Sequence, residues 1–363
     1  MSTLKNINLS AHFVMTLLLC CFCIATSSAA TKYVKPTGND SNNGNSWAQA
    51  YQTLQKAIES TVAGDQIWLA SGTYYPTKDN AGTIPGNGQL KTFFINKDIA
   101  IYGGFNGTES SLSQRNWRTN IAILSGDVGT VGDDADNAYH VVYIQGVTTA
   151  MRLDGVTVTK GNANGGDADD FNNPAINGIG GGILVYATGG VTSAPTINNC
   201  RILDNRASGG GGAGSASKVS GSSAPTFTNC LFENNIASRH GGAVLSMADG
   251  DFSGNPFSIP VFEHCTFYNN NATLPKKVGY SNALQGGGST ASFIKSILWG
   301  DPTGDYLGVG SSSAVVLEHS LSKGGCPFGI TCVGTILNTN PLFVNAAGGD
   351  LRLAANSPAI DGP

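Results

Sequence analysis

A short segment recurs through the second half of the chain and constrains the fold more than any other feature. Its copies align without gaps, and their first residues, at positions 153, 197, 227, 262, 293 and 317, lie 24 to 44 residues apart. A fixed segment separated by spacers of variable length is typical of a solenoid, in which each repeat forms one turn. The copies read LDGVTVTKGNA, INNCRILDNRA, FTNCLFENNIA, FEHCTFYNNNA, FIKSILWGDP and, more faintly, LEHSLSKGG.

Two columns of mostly apolar residues run through the copies, two positions apart. Residues two positions apart lie on the same face of a strand, so these columns predict an inward face. The column between them is mixed in character and is predicted to face outward. The first inward column holds Val156, Cys200, Cys230, Cys265 and Ser296, the second holds Val158, Ile202, Phe232, Phe267 and Leu298, and the outward column holds Thr157, Arg201, Leu231 and Thr266.

Glycine and asparagine mark the corners between strands. The chain of 363 residues has 49 glycines and only 12% charged residues, about half the charged share of an ordinary domain. Asparagine tolerates the left-handed backbone of tight turns, and stacked asparagines can bond to one another. We therefore expect left-handed corners and a side-chain ladder at one further column, which contains Gly161, Asn205, Asn235 and Asn270.

These patterns predict an all-β fold, a right-handed parallel β-helix formed by a single domain at residues 31–363. Each coil would stack on the next at the ordinary strand spacing of about 4.8 Å. An open end would expose unpaired backbone. A short helix at residues 46–60 is predicted to cap the N-terminal end, since Trp47, Tyr51, Leu54 and Ile58 share one helical face.

Residues 1–30 have the pattern of a signal peptide. The polar start with Lys5 is followed by an apolar run from Phe13 to Ala25 and the small-residue site Ser28-Ala29-Ala30. We expect a protein that is secreted or displayed on the cell surface, with no membrane-spanning segment in the mature chain. A net charge of −4 argues against nucleic acid as a partner.

Five cysteines remain after the predicted leader. Stacking explains Cys200, Cys230 and Cys265 as small interior residues; a site of three thiolates for a metal is the alternative, but no histidine shares their face. Cys326 and Cys332 bracket the short loop CPFGITC. In an oxidising compartment this spacing allows a local disulfide, and the sequence leaves its redox state open.

Several longer stretches resemble exported bacterial β-helix proteins of the pectate-lyase-like superfamily. The stretch from Thr31 to Pro76 resembles their opening, and the units with FTNCLFENNIASRHGGAV resemble repeats of the polymorphic outer membrane proteins. Residues 340–363 are similar to the terminal motif of choice-of-anchor Q domains. Relatives continue past that motif into an anchor, so the resemblance implies a truncated C-terminus. The superfamily includes lyases, hydrolases, esterases and adhesins, so it implies architecture more than activity.

A polysaccharide lyase needs a cation on several carboxylates and a nearby Lys or Arg base. The carboxylates of Asp167, Asp169 and Asp170 are the best calcium ligands in the sequence, although their Gly- and Asn-rich insertion favours a solvated loop or a structural calcium over a catalytic site. A second acidic set is predicted to be a surface loop. That set is Asp127, Asp133, Asp134 and Asp136. The candidate bases for a lyase are Arg201, Arg206, Arg239, His240, Lys276 and Lys277.

No acidic pair and base are found in register on adjacent coils. Asp204 and Glu233 lie on neighbouring copies but in columns assigned to different faces, and Arg201 has no acidic equivalent beside it. We therefore expect an adhesive, glycan-binding or structural protein that requires no cofactor, with a polysaccharide or cell-surface component as its partner. The alternative is a calcium-dependent extracellular lyase of a uronate polymer.

Overall fold

The fold is described from a computed structural model. The structure describes residues 29–167, 175–249, 255–274, 279–284, 287–300 and 306–360, with the backbone alone at 281–284. Residues 1–28 of the predicted signal peptide lie outside the described residues, and so do Asp169, Asp170, Lys276 and Lys277.

Parallel strands dominate the described residues. The first sheet contains Thr31–Val34, Gln66–Ala70, Ala100–Phe105, Arg152–Asp154, Thr196–Asn198, Thr226–Thr228, Val261–Glu263, Gly288–Ile294, Ser313–Glu318 and Thr331–Val333, with Thr192–Ser193, Ser222–Ser223 and Phe257–Ser258 alongside. The second contains Gly72–Tyr74, Ala122–Ser125, Val156–Thr159, Arg201–Leu203, Leu231–Glu233, Thr266–Tyr268, Ile297–Trp299 and Leu321–Ser322.

Two further parallel sheets complete the architecture. The third contains Phe93–Ile95, Val142–Gln145, Ile183–Thr188, Ala213–Lys218, Val244–Asp249, Gly279–Leu284 and Leu307–Val309. The fourth is short, with Asn162–Ala163, Arg206–Gly209, Ile236–His240 and Asn271–Ala272. Successive coils pair in register, as Arg201 with Leu231 and Leu231 with Thr266 show. The chain is a right-handed parallel β-helix, as predicted.

Stacked aromatic rings fill the core. Phe232 and Phe267 stack with centroids 4.8 Å apart, and Phe227, Phe262 and Phe293 form a second stack at 4.9 and 5.0 Å. All five side chains are fully buried. Matching residues recur once per coil, so each ring meets its equivalent on the next coil and the core continues along the axis.

The predicted inward cysteines are buried, as the strand columns indicated. Each thiol donates to backbone carbonyls, as Cys200 Sγ does to the Asn198 oxygen at 3.1 Å, and Ser296 donates similarly through its hydroxyl. Burial raises the pKa of the Cys200 and Cys230 thiols well above its usual value. Burial therefore favours the protonated, unreactive form of these thiols.

The asparagine ladder is confirmed, but the expected backbone conformation is displaced by one residue. Asn205 Nδ2 donates to Asn235 Oδ1 at 3.1 Å, and Asn235 Nδ2 donates to Asn270 Oδ1 at 2.9 Å. The left-handed residue at each corner precedes the ladder residue, for example Asn234 with φ 56° before Asn235. This arrangement turns the ladder asparagine into the core, where its amide bonds backbone groups of adjacent coils.

The predicted helix at 46–60 is interrupted. A 3₁₀ turn covers Trp47–Gln49, Tyr51 forms a parallel bridge with Val34, and the α-helix spans only Leu54–Ser60. The Thr53 hydroxyl accepts a hydrogen bond from the Lys56 amide and caps the helix. Leu54, Ala57 and Ile58 are buried. The helix contacts the strands Thr31–Val34, Gln66–Ala70 and Phe93–Ile95, at the N-terminal end where a cap was expected.

The C-terminal motif folds back onto the body. Phe343–Asn345 and Asp350–Leu353 form an antiparallel hairpin, and the Phe343 ring packs edge-on against Tyr268 of the second sheet at 5.7 Å. Cys326 and Cys332 are disulfide-bonded. The remaining 3₁₀ turns are Gly88–Leu90, Leu112–Gln114, Asp134–Asp136, Ala175–Gly178 and Ala346–Gly348.

Candidate functional site

The corner between the second and fourth sheets carries a polar groove of about 570 Å³, which we call the corner groove. One wall is a column of left-handed residues, which turn the chain by φ angles of 53° to 64°. The other wall is the outward row of the fourth sheet. The left-handed wall holds Lys160, Asp204, Asn234 and Asn269, and the other holds Arg206, Ile236 and Asn271, with Asp134 at one end.

Repetition of one corner explains how the groove forms. Each left-handed residue directs its own side chain outward and its successor into the core, so the groove gains one polar side chain per coil. Asn269 Nδ2 donates to Asn234 Oδ1 at 2.7 Å, which aligns two of these amides. The groove therefore presents donors and acceptors at the coil spacing of about 4.8 Å.

Asp134 brings a negative charge between two cations. Its carboxylate lies 3.0 Å from Arg206 Nε and 3.5 Å from Lys160 Nζ. Asn162 Nδ2 donates to the Asp134 backbone oxygen at 2.6 Å and fixes the loop. The side chains of Asp134, Lys160 and Arg206 are 37 to 47% exposed. Their ion pairs therefore contribute little stability, and a charged ligand can compete for them.

A second cleft of about 520 Å³ continues the groove and shares Arg206 and Ile236 with it. Its loop wall contains Asp167, whose carboxylate accepts a hydrogen bond from Arg239. Two separate loops therefore each place one carboxylate against an arginine of the fourth sheet, Asp134 against Arg206 and Asp167 against Arg239.

The calcium site predicted at Asp167, Asp169 and Asp170 stays a prediction. Asp167 faces Arg239 and the other two lie outside the described residues. Within the described part of the chain, no group of three His, Cys, Asp or Glu side chains is arranged to hold a metal ion.

Glu233, on the outer face of the second sheet, lies within electrostatic range of Arg201 and Asp204. Burial raises the pKa of Glu233, the Arg201 charge opposes this shift, and the Asp204 charge adds to it. Arg201 therefore has an acidic group within electrostatic range, and the Asp204 charge acts on Glu233 despite their different columns. Column parity missed this because Asp204 lies at a corner, outside the strand alternation.

His240 and three aspartates of the second acidic set contact other groups of the protein. The His240 ring stacks on Tyr280 with centroids 4.2 Å apart. In the loop at 127–136, Asp127, Asp133 and Asp136 accept hydrogen bonds from backbone amides of Gly132, Ala135 and Thr130. This matches the predicted surface loop, from which Asp134 alone reaches the corner groove.

Sequence reasoning missed Lys160 as a groove residue and Asp134 as its counter-charge. Lys160 aligns with Asp204, Asn234 and Asn269 in the repeat, so the column would have found it. Asp134 lies 72 residues from Arg206 in an insertion, and no repeat signal connects the two.

Comparison with solved structures finds proteins of similar architecture. Pectate lyase Pel9A is 16% identical over 91% of this chain and 90% of its own, with a TM-score of 0.46. A rhamnogalacturonan lyase is 18% identical over 81% and 68%, with a TM-score of 0.36. Pectin methylesterase PemA from Erwinia chrysanthemi is 11% identical over 86% and 94%, with a TM-score of 0.38.

No protein-family model and no curated protein matches the chain. The fold therefore rests on the strand pairings themselves. Within the described ranges, no helix has both the length and the apolar character needed to cross a bilayer.

Proposed function

We propose that the protein is exported and binds a polysaccharide along the corner groove, in an adhesive or structural role on the cell surface and without catalysis. The observation that carries the proposal is the repetition of polar side chains along one groove, one set per coil. Repeated amide and charged groups suit a ligand that is itself a repeating polymer of hydroxyl groups. Variable loops at such a scaffold would supply specificity.

The groove favours binding because its charges are exposed and mutually neutralised. Asp134, Lys160 and Arg206 offer both acceptors and donors to sugar hydroxyls, while Asn234 and Asn269 offer amides. Many such contacts, each weak, sum to useful affinity only when the ligand spans several coils.

Affinity electrophoresis of the exported chain in gels that contain pectin, alginate, xylan or glycosaminoglycans tests this proposal, with and without Ca²⁺. We expect retardation by at least one polysaccharide, and the Asn234→Ala/Asn269→Ala double variant should lose most of it. Asn80→Ala, an exposed asparagine remote in sequence from the groove, is the matched control and should migrate like the parent. Equal retardation of the double variant would exclude the corner groove.

A polysaccharide lyase is the second candidate, and Glu233 beside Arg201 favours it. A carboxylic acid whose pKa is raised by burial, within electrostatic range of a cation, is a candidate acid–base group. Formation of unsaturated uronates, followed by ultraviolet absorbance on the same polysaccharides with and without Ca²⁺, tests it. Product that disappears in Glu233→Gln would replace the non-catalytic proposal; retardation without product supports binding alone.

A further inference from the structure

The corner between the first and second sheets carries a different column from the corner groove. Its left-handed residues begin with Gly155, continue as asparagine over two coils and then change to basic side chains over three consecutive coils. The column runs Gly155, Asn199, Asn229, His264, Lys295, His319 and Gly334. We call His264, Lys295 and His319 the basic column.

The backbone alone does not explain the basic column. Its φ angles of 53°, 47° and 42° lie in the left-handed region, where asparagine and glycine are favoured. Asn199 and Asn229 serve the same turn with φ angles of 53° and 55° and bond to each other at 2.6 Å. Histidine tolerates this conformation, but lysine at position 295 costs backbone energy that asparagine would save, which points to a role for its side chain.

A cleft of about 470 Å³ opens along the basic column, between it and the C-terminal segment. The volume lies within the range of small-molecule sites. The C-terminal segment contributes the apolar side chains of Leu353 and Ile360 to the facing wall, and Ile297 adds apolar surface beside the basic column. None of the described residues that line the cleft is acidic. Glu263, which lies 3.7 Å from His264 Nδ1, is outside this lining.

The His319 ring lines the cleft and also packs against Gly334. Gly334 has a φ of 67°, and a Cβ there would overlap the His319 ring, so the glycine makes room for it. The buried Nδ1 of His319 has no hydrogen-bond partner within the described part of the chain. A buried polar atom without a partner is rare and calls for an explanation.

We propose that this cleft binds a small organic carboxylate with an apolar body. Lys295 would hold the carboxylate by its charge, and His264 and His319 would donate imidazole N–H hydrogen bonds to it. The apolar body would lie against Ile297, Leu353 and Ile360. The site is separate from the corner groove and does not depend on polysaccharide binding.

Isothermal titration of the full exported chain with benzoate tests the site, with benzyl alcohol and inorganic phosphate as comparisons. We expect benzoate to bind more tightly than either, because only benzoate has both the charge and the apolar body. Lys295→Asn should weaken benzoate binding at least tenfold, His319→Asn several-fold, and Lys295→Arg less than either.

The asparagine variants restore the residue that the same corner uses at Asn199 and Asn229, so their melting temperatures should equal or exceed that of the parent. This stability readout separates loss of a ligand group from loss of folding. The proposal is overturned if benzoate does not bind, if phosphate or benzyl alcohol binds equally well, or if Lys295→Asn leaves the affinity unchanged.

Discussion

Asn234 and Asn235 are adjacent and chemically identical, yet they occupy opposite sides of one corner. Asn235 is fully buried and its amide bonds four partners, the Ile202 oxygen, two nitrogens of Asn205 and the Asn270 oxygen. Asn234 is half-buried in the corner groove and adopts the left-handed backbone. One residue of displacement separates a structural role in the core from a surface role.

The difference teaches that residue type alone does not assign a role in this fold. Every coil has an inner side that sets stability and an outer side that is free to vary. The same comparison extends to phenylalanine and histidine, each of which occurs in both settings. Substituting matched pairs of residues, one on the inner side and one on the outer side, tests this difference.

The largest effect is expected for Phe232→Ala. The ring is fully buried, stacks on Phe267 at 4.8 Å and packs against Phe227 at 5.5 Å, so truncation leaves a cavity that costs about 4 kcal/mol of unfolding free energy. Phe328→Ala removes the same atoms from a fully exposed side chain and should cost less than about 0.5 kcal/mol. Urea unfolding of both variants measures the contrast, which equal losses would refute.

Asn235→Ala should cost about 3 kcal/mol, because it removes four buried hydrogen bonds of the side-chain amide and leaves the Asn205 backbone N–H without its acceptor. Asn234→Ala loses a favoured left-handed residue and an exposed hydrogen bond, and about 1 kcal/mol is expected. Thermal and urea unfolding at neutral pH distinguish the two. A larger loss at Asn234 than at Asn235 would mean that the ladder is not what holds the coils together.

The repeat predicted much of this inner side. Phe232 and Cys230 were assigned to the core by strand alternation alone, since stacked coils impose one pattern on every copy. The left-handed backbone was predicted one residue too late, because either residue of a doublet such as Asn234-Asn235 can occupy the turn. The helix break was missed because the Tyr51 backbone is hydrogen-bonded to the distant Tyr33 oxygen and Lys35 amide, contacts that local helical periodicity does not record.

The outer side was less predictable for a physical reason. Asp134 reaches Arg206 from an insertion whose length and sequence are free of the repeat, so only the folded chain brings the two charges together. The basic column was visible in the aligned copies, but its significance depends on the cleft beneath the C-terminal segment. Long-range placement of loops and termini, rather than strand pattern, determines both surfaces.

The smallest of the three effects depends on pH and concerns His140. The imidazole is buried, its Nδ1 lies 3.0 Å from the Gly180 oxygen, and burial lowers its pKa from 6.5 to about 4. The unfolded chain therefore takes up a proton below pH 6.5 that the folded chain refuses until about pH 4. Stability is fully present above pH 6.5 and falls with pH, by about 2 kcal/mol between pH 7.5 and pH 5. His140→Gln should lack this part of the decline, whereas His264→Gln, at an exposed position, should retain it. Parallel stability curves for the parent and His140→Gln across that range would show that the buried imidazole does not titrate as its surroundings require.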